Sequence, residues 1–129
     1  MAHTERIAGR VFTFWKPAEK NGWCSNWYPS PFTGPDGTSF SCVEQWIMYK
    51  KALLFGDSRA ASNILAAAND PRKQKAIGRR VRNFDEATWL GSRDAILYEG
   101  LMLKFQQNPE LGKRLQQTTG QRLAEVIRL

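Results

Sequence analysis

The punctuation of this chain constrains its fold more than any other feature. Gly56-Asp57, Asp70-Pro71, Gly78, Asp85, Asn108-Pro109 and Gly120 cut residues 41–120 into short helical segments. Asp at a helix start accepts orphan backbone N–H groups, Pro is tolerated at the first helical position, and Gly takes the left-handed conformation that ends a helix. These marks predict helices over about 41–55, 58–68, 71–78, 86–107 and from 109 to Gly120. Short helices joined tightly favour an irregular orthogonal arrangement over a long parallel bundle, so a mainly α domain is expected.

Before the helices, residues 10–15 (Arg-Val-Phe-Thr-Phe-Trp) read as a short β-like run, limited by Pro17. Residues 21–40 are rich in Asn, Gly, Pro, Ser and aromatics. They read as an ordered loop with at most a hairpin. Pro35-Asp36-Gly37 is its turn, and Phe32 and Phe40 flank that turn where they can pack across it. Residues 121–129 suit either a helical turn or a closing strand.

Periodicity assigns faces. In the first helix Val43, Trp46/Ile47, Lys50 and Leu53/Leu54 trace an apolar stripe, and Glu44, Met48, Lys51 and Phe55 trace the adjoining face. In the long helix Leu90, Leu97, Leu101 and Phe105 read as core. Trp89, Arg93, Ile96, Gly100 and Leu103 form a mixed stripe in which Trp89 and Arg93, four apart, can meet.

The chain has 129 residues, 42% of them apolar, with five Trp and seven Phe. That suits a single domain over residues 1–129 and excludes a disordered chain. No apolar run reaches the roughly 18 residues of a membrane span. The start, Met1-Ala2-His3-Thr4-Glu5-Arg6, has no signal-peptide core, so a cytoplasmic location is expected. Without an export signal, Cys24 and Cys42 are expected to stay reduced. One His and two Cys with no Cys-x-x-Cys argue against a zinc site, and no cofactor is suggested. The net charge of +7 favours anionic partners. Its densest part is Arg72-Lys73-Gln74-Lys75 with Arg79-Arg80-Val81-Arg82, which reads either as a solvated helix face or as a phosphate-binding surface.

Glu44 stands where the polar loop gives way to the first helix. Ser41-x-x-Glu44 is the capping-box pattern, and local sequence favours that reading. A carboxylate at a helix mouth between aromatics also suits a site for a flat ligand.

Further patterns accompany it. Ser25-Asn26-Trp27-Tyr28-Pro29-Ser30-Pro31-Phe32 precedes the helix Val43-Glu44-Gln45-Trp46-Ile47-Met48-Tyr49-Lys50-Lys51-Ala52, which runs on to Leu54-Phe55-Gly56-Asp57. Gly78-Arg79-Arg80-Val81, Phe84-Asp85-x-x-x-Trp89 with Arg93, and Lys104-Phe105-x-x-Asn108-Pro109 follow. In this order and spacing the chain resembles the NADAR superfamily, also called YbiA-like, from about Phe12 to Leu123.

The resemblance implies a YbiA-like orthogonal helical domain and N-glycosidase chemistry, cleavage of a ribose C1′–N bond. Implied substrates are ADP-ribosylated guanine bases or phosphoribosylated intermediates of riboflavin synthesis. The partner is then an anionic nucleotide-like small molecule or ADP-ribosylated nucleic acid. Such cleavage builds positive charge on the sugar, which a carboxylate near C1′ can stabilise. By resemblance Glu44 is that carboxylate, ionised and with its pKa lowered by nearby basic residues. By resemblance too, Trp89 is the stacking platform for the flat ring; read alone, it is a core Trp. Arg79 and Arg93 are candidates for phosphate, which the guanidinium fork suits. Asn26 and Trp27 would form a pocket wall, although Asn26 equally satisfies a turn. Lys51 could contact phosphate, pair with Glu44, or lie in solvent. Asp85 reads as a helix cap.

Relatives continue past the segment matching Leu123-Ala124-Glu125 with an Asp- and Trp/Gly-containing motif, and this chain stops at Leu129 without it. Position 45 is Gln where one branch of the family has His. The alternative to an enzyme is therefore a non-catalytic module that binds ADP-ribose or a related nucleotide. A generic nucleic-acid binder using residues 72–82 is a third reading. It is weakened because aromatics do not alternate with the basic residues.

Overall fold

The computed structural model describes residues 22–117, and the backbone alone of two strands at 11–14 and 122–125. Strand β1 is Val11–Phe14, and it pairs in parallel with β4, Arg122–Glu125. The β-like run and one of the two readings of the C-terminal segment thus become a two-stranded ribbon. A 3-10 turn, Gly22–Cys24, leads into the aromatic loop.

That loop contains the expected hairpin. β2 (Phe32–Thr33) pairs antiparallel with β3 (Ser39–Phe40), with Phe32 opposite Phe40. The two rings stack with centres 5.6 Å apart. Gly37 takes φ +89° in the turn, and the Asp36 carboxylate accepts the Thr38 N–H at 3.0 Å. The Gln107 side chain imitates a neighbouring strand: its Oε1 accepts the Thr33 N–H at 2.8 Å and its amide donates to the Thr33 carbonyl at 2.9 Å.

Five helices follow: α1 Val43–Leu54, α2 Ser58–Ala66, α3 Pro71–Gly78, α4 Glu86–Gln107 and α5 Pro109–Gln116. The starts of α2 to α5 match the punctuation. Asp57, Asp70 and Asp85 each accept a backbone N–H at about the third helical residue. The expected end of the last helix at Gly120 lies outside the described residues. α1 is the hub and packs against α2, α3 and α4. The main core joins Val43, Trp46, Ile47, Met48 and Ala52 of α1 to the hairpin phenylalanines, Ile64 and Trp89.

Two face assignments need correction. On α1 the stripe ends early: Leu53 and Leu54 are exposed, while Met48, Lys51 and Ala52 are buried. On α4 the mixed stripe is the more deeply buried, while Leu97, Leu101 and Phe105 of the leucine stripe pack partly buried against the core. Leu90 is half exposed, whereas Trp89 and Gly100 are buried. The reason is Trp46. Its indole N–H donates to the Ile96 carbonyl at 2.8 Å, and its ring lies against the bare Cα of Gly100. Hydrophobicity alone gives glycine no weight, although here its missing side chain seats the helix.

Gly100→Ala would put a methyl group 2.6 Å from Trp46 Cδ1. Such overpacking costs about 1–3 kcal/mol, more than the roughly 1 kcal/mol that Ala gains over Gly in a helix. The urea midpoint is expected to fall. Gly91→Ala on the same helix meets nothing within 4 Å and is expected to raise it. Equal shifts in one direction would contradict the Trp46–Gly100 contact as the seat of α4.

Candidate functional site

Glu44 does not cap its helix. α1 starts one residue later than the capping-box pattern implied, with Cys42 at the cap position and no side-chain cap bond. The third helical residue is then Gln45. Its Oε1 accepts the Ser41 backbone N–H at 2.7 Å, and its amide donates to the Ile64 carbonyl at 3.0 Å. Gln45 does the capping work, and Glu44 is left for something else.

Two residues of the preceding loop hold Glu44. Its backbone N–H donates to the Asn26 carbonyl at 3.0 Å. The Trp27 indole N–H donates to its Oε1 at 3.0 Å. The loop is itself fastened: Ser25 Oγ accepts the Trp27 backbone N–H at 3.1 Å, and the fully buried Lys104 ammonium of α4 donates to the Ser25 carbonyl at 3.0 Å. Asn26 is buried and Trp27 half-buried.

The other carboxyl oxygen, Oε2, is buried with no hydrogen-bond partner, alone in this among the side-chain nitrogens and oxygens of the described residues. Such a group costs about 1–3 kcal/mol, more if charged, and native proteins seldom keep one without use. Burial pushes the Glu44 pKa up. The Trp27 N–H and the charges of Lys75, Lys51 and Arg79 oppose that push without cancelling it. The expected lowering is therefore reversed: cations surround Glu44, but loss of water outweighs them.

Lys51 lies two turns along the same face and is 5% exposed, which removes the solvated reading. Its ammonium is 5.3 Å from the centre of the Trp89 ring and 4.8 Å from that of Phe84. Burial lowers its pKa, Arg79 and Lys75 add to the lowering, and Glu44 opposes it. The two ion pairs among the described residues are Arg82–Asp57 and Arg93–Asp94. Glu44 and Lys51 thus act on each other through space, without a contact pair.

The remaining expected residues divide. Arg79 caps the end of α3, is exposed, and acts on both Glu44 and Lys51. Arg93 turns to Asp94 at 3.6 Å, and the cation over Trp89 is Lys51 instead. Trp89 is 4% exposed, inside the core, so it is no open platform for a ring. Asp85 caps α4, accepting the Thr88 N–H at 2.9 Å. Lys75, expected only as one member of the basic cluster, also acts on Glu44 and Lys51. Its signal was the four-residue spacing to Arg79, which sets both on one side of α3. Cys24 and Cys42 are buried and form no disulfide with each other. No helix among the described residues is long and apolar enough to cross a membrane.

Residues 13–128 match the family model of the NADAR domain. The chain belongs to the NADAR domain family. A curated relative, N-glycosidase R617 of Acanthamoeba polyphaga mimivirus, is 39% identical over 106 residues, which cover 79% of this chain and 62% of that protein. Protein irg-1 of Caenorhabditis elegans is 34% identical over 117 residues, 79% of this chain and 55% of its own length. The chain thus spans about 55–62% of the length of these relatives. The solution structure of Escherichia coli YbiA superposes with a TM-score of 0.76 at 22% identity, over 93% of this chain and 68% of YbiA. That likeness establishes the YbiA-like, mainly helical fold of this NADAR domain.

The raised Glu44 pKa has a consequence for stability. Above its ordinary value of 4.5, the native state keeps a proton that the unfolded chain has lost. Stability then falls as pH rises towards the native pKa; below the ordinary value both states are protonated and the effect disappears. Glu44→Gln is expected to melt higher than the parent near pH 7, with the gap shrinking near pH 4. A variant that melts lower near pH 7 would show that ionised Glu44 is not penalised by burial.

Proposed function

We propose that this NADAR domain is an N-glycosidase that cleaves a ribose C1′–N bond in an anionic, nucleotide-like substrate. The observation that carries this reading is Glu44 Oε2, buried without a partner and ringed by Lys51, Lys75 and Arg79. A proton donor sheltered from water and surrounded by cations suits a substrate that brings its own negative charge. The name of the mimivirus relative supports the same chemistry.

In this reading Glu44 starts protonated, as its raised pKa allows. It passes its proton from Oε2 to the departing base nitrogen while the C1′–N electron pair leaves with the base. The carboxylate so formed lies beside the cationic sugar and stabilises it. Water then adds at C1′, and its proton returns to the carboxylate. Glu44 thus serves as acid first and as counter-charge second, in place of the permanently ionised role first expected of it. The Trp27 N–H holds one oxygen so that the other faces the reaction.

Lys51, with its pKa lowered by burial, can relay the water proton to the Glu44 carboxylate, or attack C1′ as a neutral amine, lose its proton to that carboxylate, and be released when water breaks the C1′–Nζ bond. Trp89 holds that amine in place. Arg79 and Lys75 receive phosphate, and Asn26 bonds the ribose. Arg93, already paired with Asp94, lies at the margin. ADP-ribosylated guanine and a phosphoribosyl-aminopyrimidine both fit these requirements as substrates.

Release of free base from those two substrates tests the reading. Glu44→Gln is expected to lower the rate by about 100-fold or more. The parent's pH–rate profile is expected to be bell-shaped, falling on the acid side as Lys51 gains a proton and on the alkaline side as Glu44 loses one. Borohydride trapping of a protein–sugar adduct separates attack by Lys51 from attack by water. Full turnover by Glu44→Gln would remove the carboxyl from the chemistry. Saturable heat with ADP-ribose but no product from any substrate would make the site a binding module.

A further inference from the structure

With Trp89 inside the core, a flat ligand ring needs another surface, and Phe84 supplies one. Its side chain is 47% exposed, yet the segment that carries it is pinned. Val81 is buried. The Arg82 N–H donates to Asp57 Oδ2 at 2.9 Å, and the Arg82 guanidinium lies 3.7 Å from Oδ1 of the same carboxylate. Asn83 takes φ +61°, a left-handed conformation that Asn tolerates better than most residues. Asp85, the next residue, caps α4. An aromatic ring held by a fixed backbone but left in water gains little from core burial and is already set for binding.

Its neighbours place it at the site. Lys51 Nζ is 4.8 Å from the Phe84 ring centre, and the same ammonium acts on the Glu44 carboxyl. Phe55 supports the ring with centres 5.4 Å apart at 58°. One lysine head therefore separates the exposed ring from the carboxyl. That order matches the base–sugar junction of a nucleotide, with Phe84 against the base and Lys51 and Glu44 beside the C1′–N bond.

We propose that Phe84 is the stacking surface for the heterocycle joined to ribose through the C1′–N bond, with Lys51 at the junction of ring and sugar. This rests on the nucleotide-pocket reading above. Stacking on a π face needs no particular hydrogen-bond pattern, so the subsite would accept several heterocycles.

Guanosine 5′-monophosphate carries a flat base where ribose 5-phosphate carries the C1′ hydroxyl, and calorimetry with both tests the proposal. The parent is expected to bind the nucleotide more tightly. Phe84→Ala should weaken nucleotide binding roughly tenfold and leave ribose 5-phosphate binding unchanged, while Phe84→Tyr should restore the nucleotide affinity. Nucleotide binding by Phe84→Ala equal to the parent's, or an equal loss for both ligands, overturns the assignment of Phe84 alone. A parent that binds neither ligand overturns the nucleotide-pocket reading, and this assignment with it.

Discussion

A helix packed on three sides leaves little water for the charges it buries, and α1 buries two. Glu44 and Lys51 are on one face of that helix, each about 95% shielded from solvent. Each is pushed towards its neutral form by the same cause, loss of hydration. A carboxyl pushed towards keeping its proton and an amine pushed towards shedding one are shifted in the directions that suit an acid and a base. Neither property belongs to the residues themselves. Both follow from the position of α1 between α2, α3 and α4.

The loop from Gly22 to Ser30 contributes the geometry. Its fastening is unusual in that it depends on a buried lysine. Lys104, on α4, reaches the Ser25 carbonyl 79 residues away in sequence. Ser25 then holds the Trp27 backbone, and Trp27 holds Glu44. The Asn26 carbonyl fixes the Glu44 backbone from the same loop. A carboxyl gripped at one oxygen and at its own N–H has few rotamers left, so Oε2 points where it does without a partner to hold it. Removing such a buried ammonium would leave the Ser25 carbonyl with the Tyr28 N–H alone and cut the tie between the loop and α4.

Caps were legible because capping is local. Asp57, Asp70 and Asp85 each bond a backbone N–H three residues on, and three residues of sequence contain the whole interaction. Turn chemistry at Pro35-Asp36-Gly37 was legible for the same reason. The capping box at Ser41 failed by one position, because Gln45 finds carbonyls on α2 that reward it more than a free helix end would. The α4 core reading held at Leu97, Leu101 and Phe105 and failed at Leu90, because the helix is seated at Gly100 by what Trp46, 54 residues away, places against it. Among site residues, Glu44 and its loop partners Asn26 and Trp27 came from the motif order. Phe84 stood in a quoted motif and Lys75 in the basic cluster without roles of their own, since their part depends on which sides of α3 and the α3–α4 turn face α1.

The sequence by itself determined the elements, their ends and the supply of chemistry: one acidic residue at the head of the hub helix, basic residues four and seven apart, and aromatics in surplus. Those follow from backbone hydrogen bonding and periodicity, which act over a few residues. Only the tertiary structure decided the upward push on the Glu44 pKa, the cation over Trp89, and which aromatic rings stay open to solvent. Each of those depends on how much water is excluded at a point in space, and that exclusion is the joint work of segments far apart in the chain.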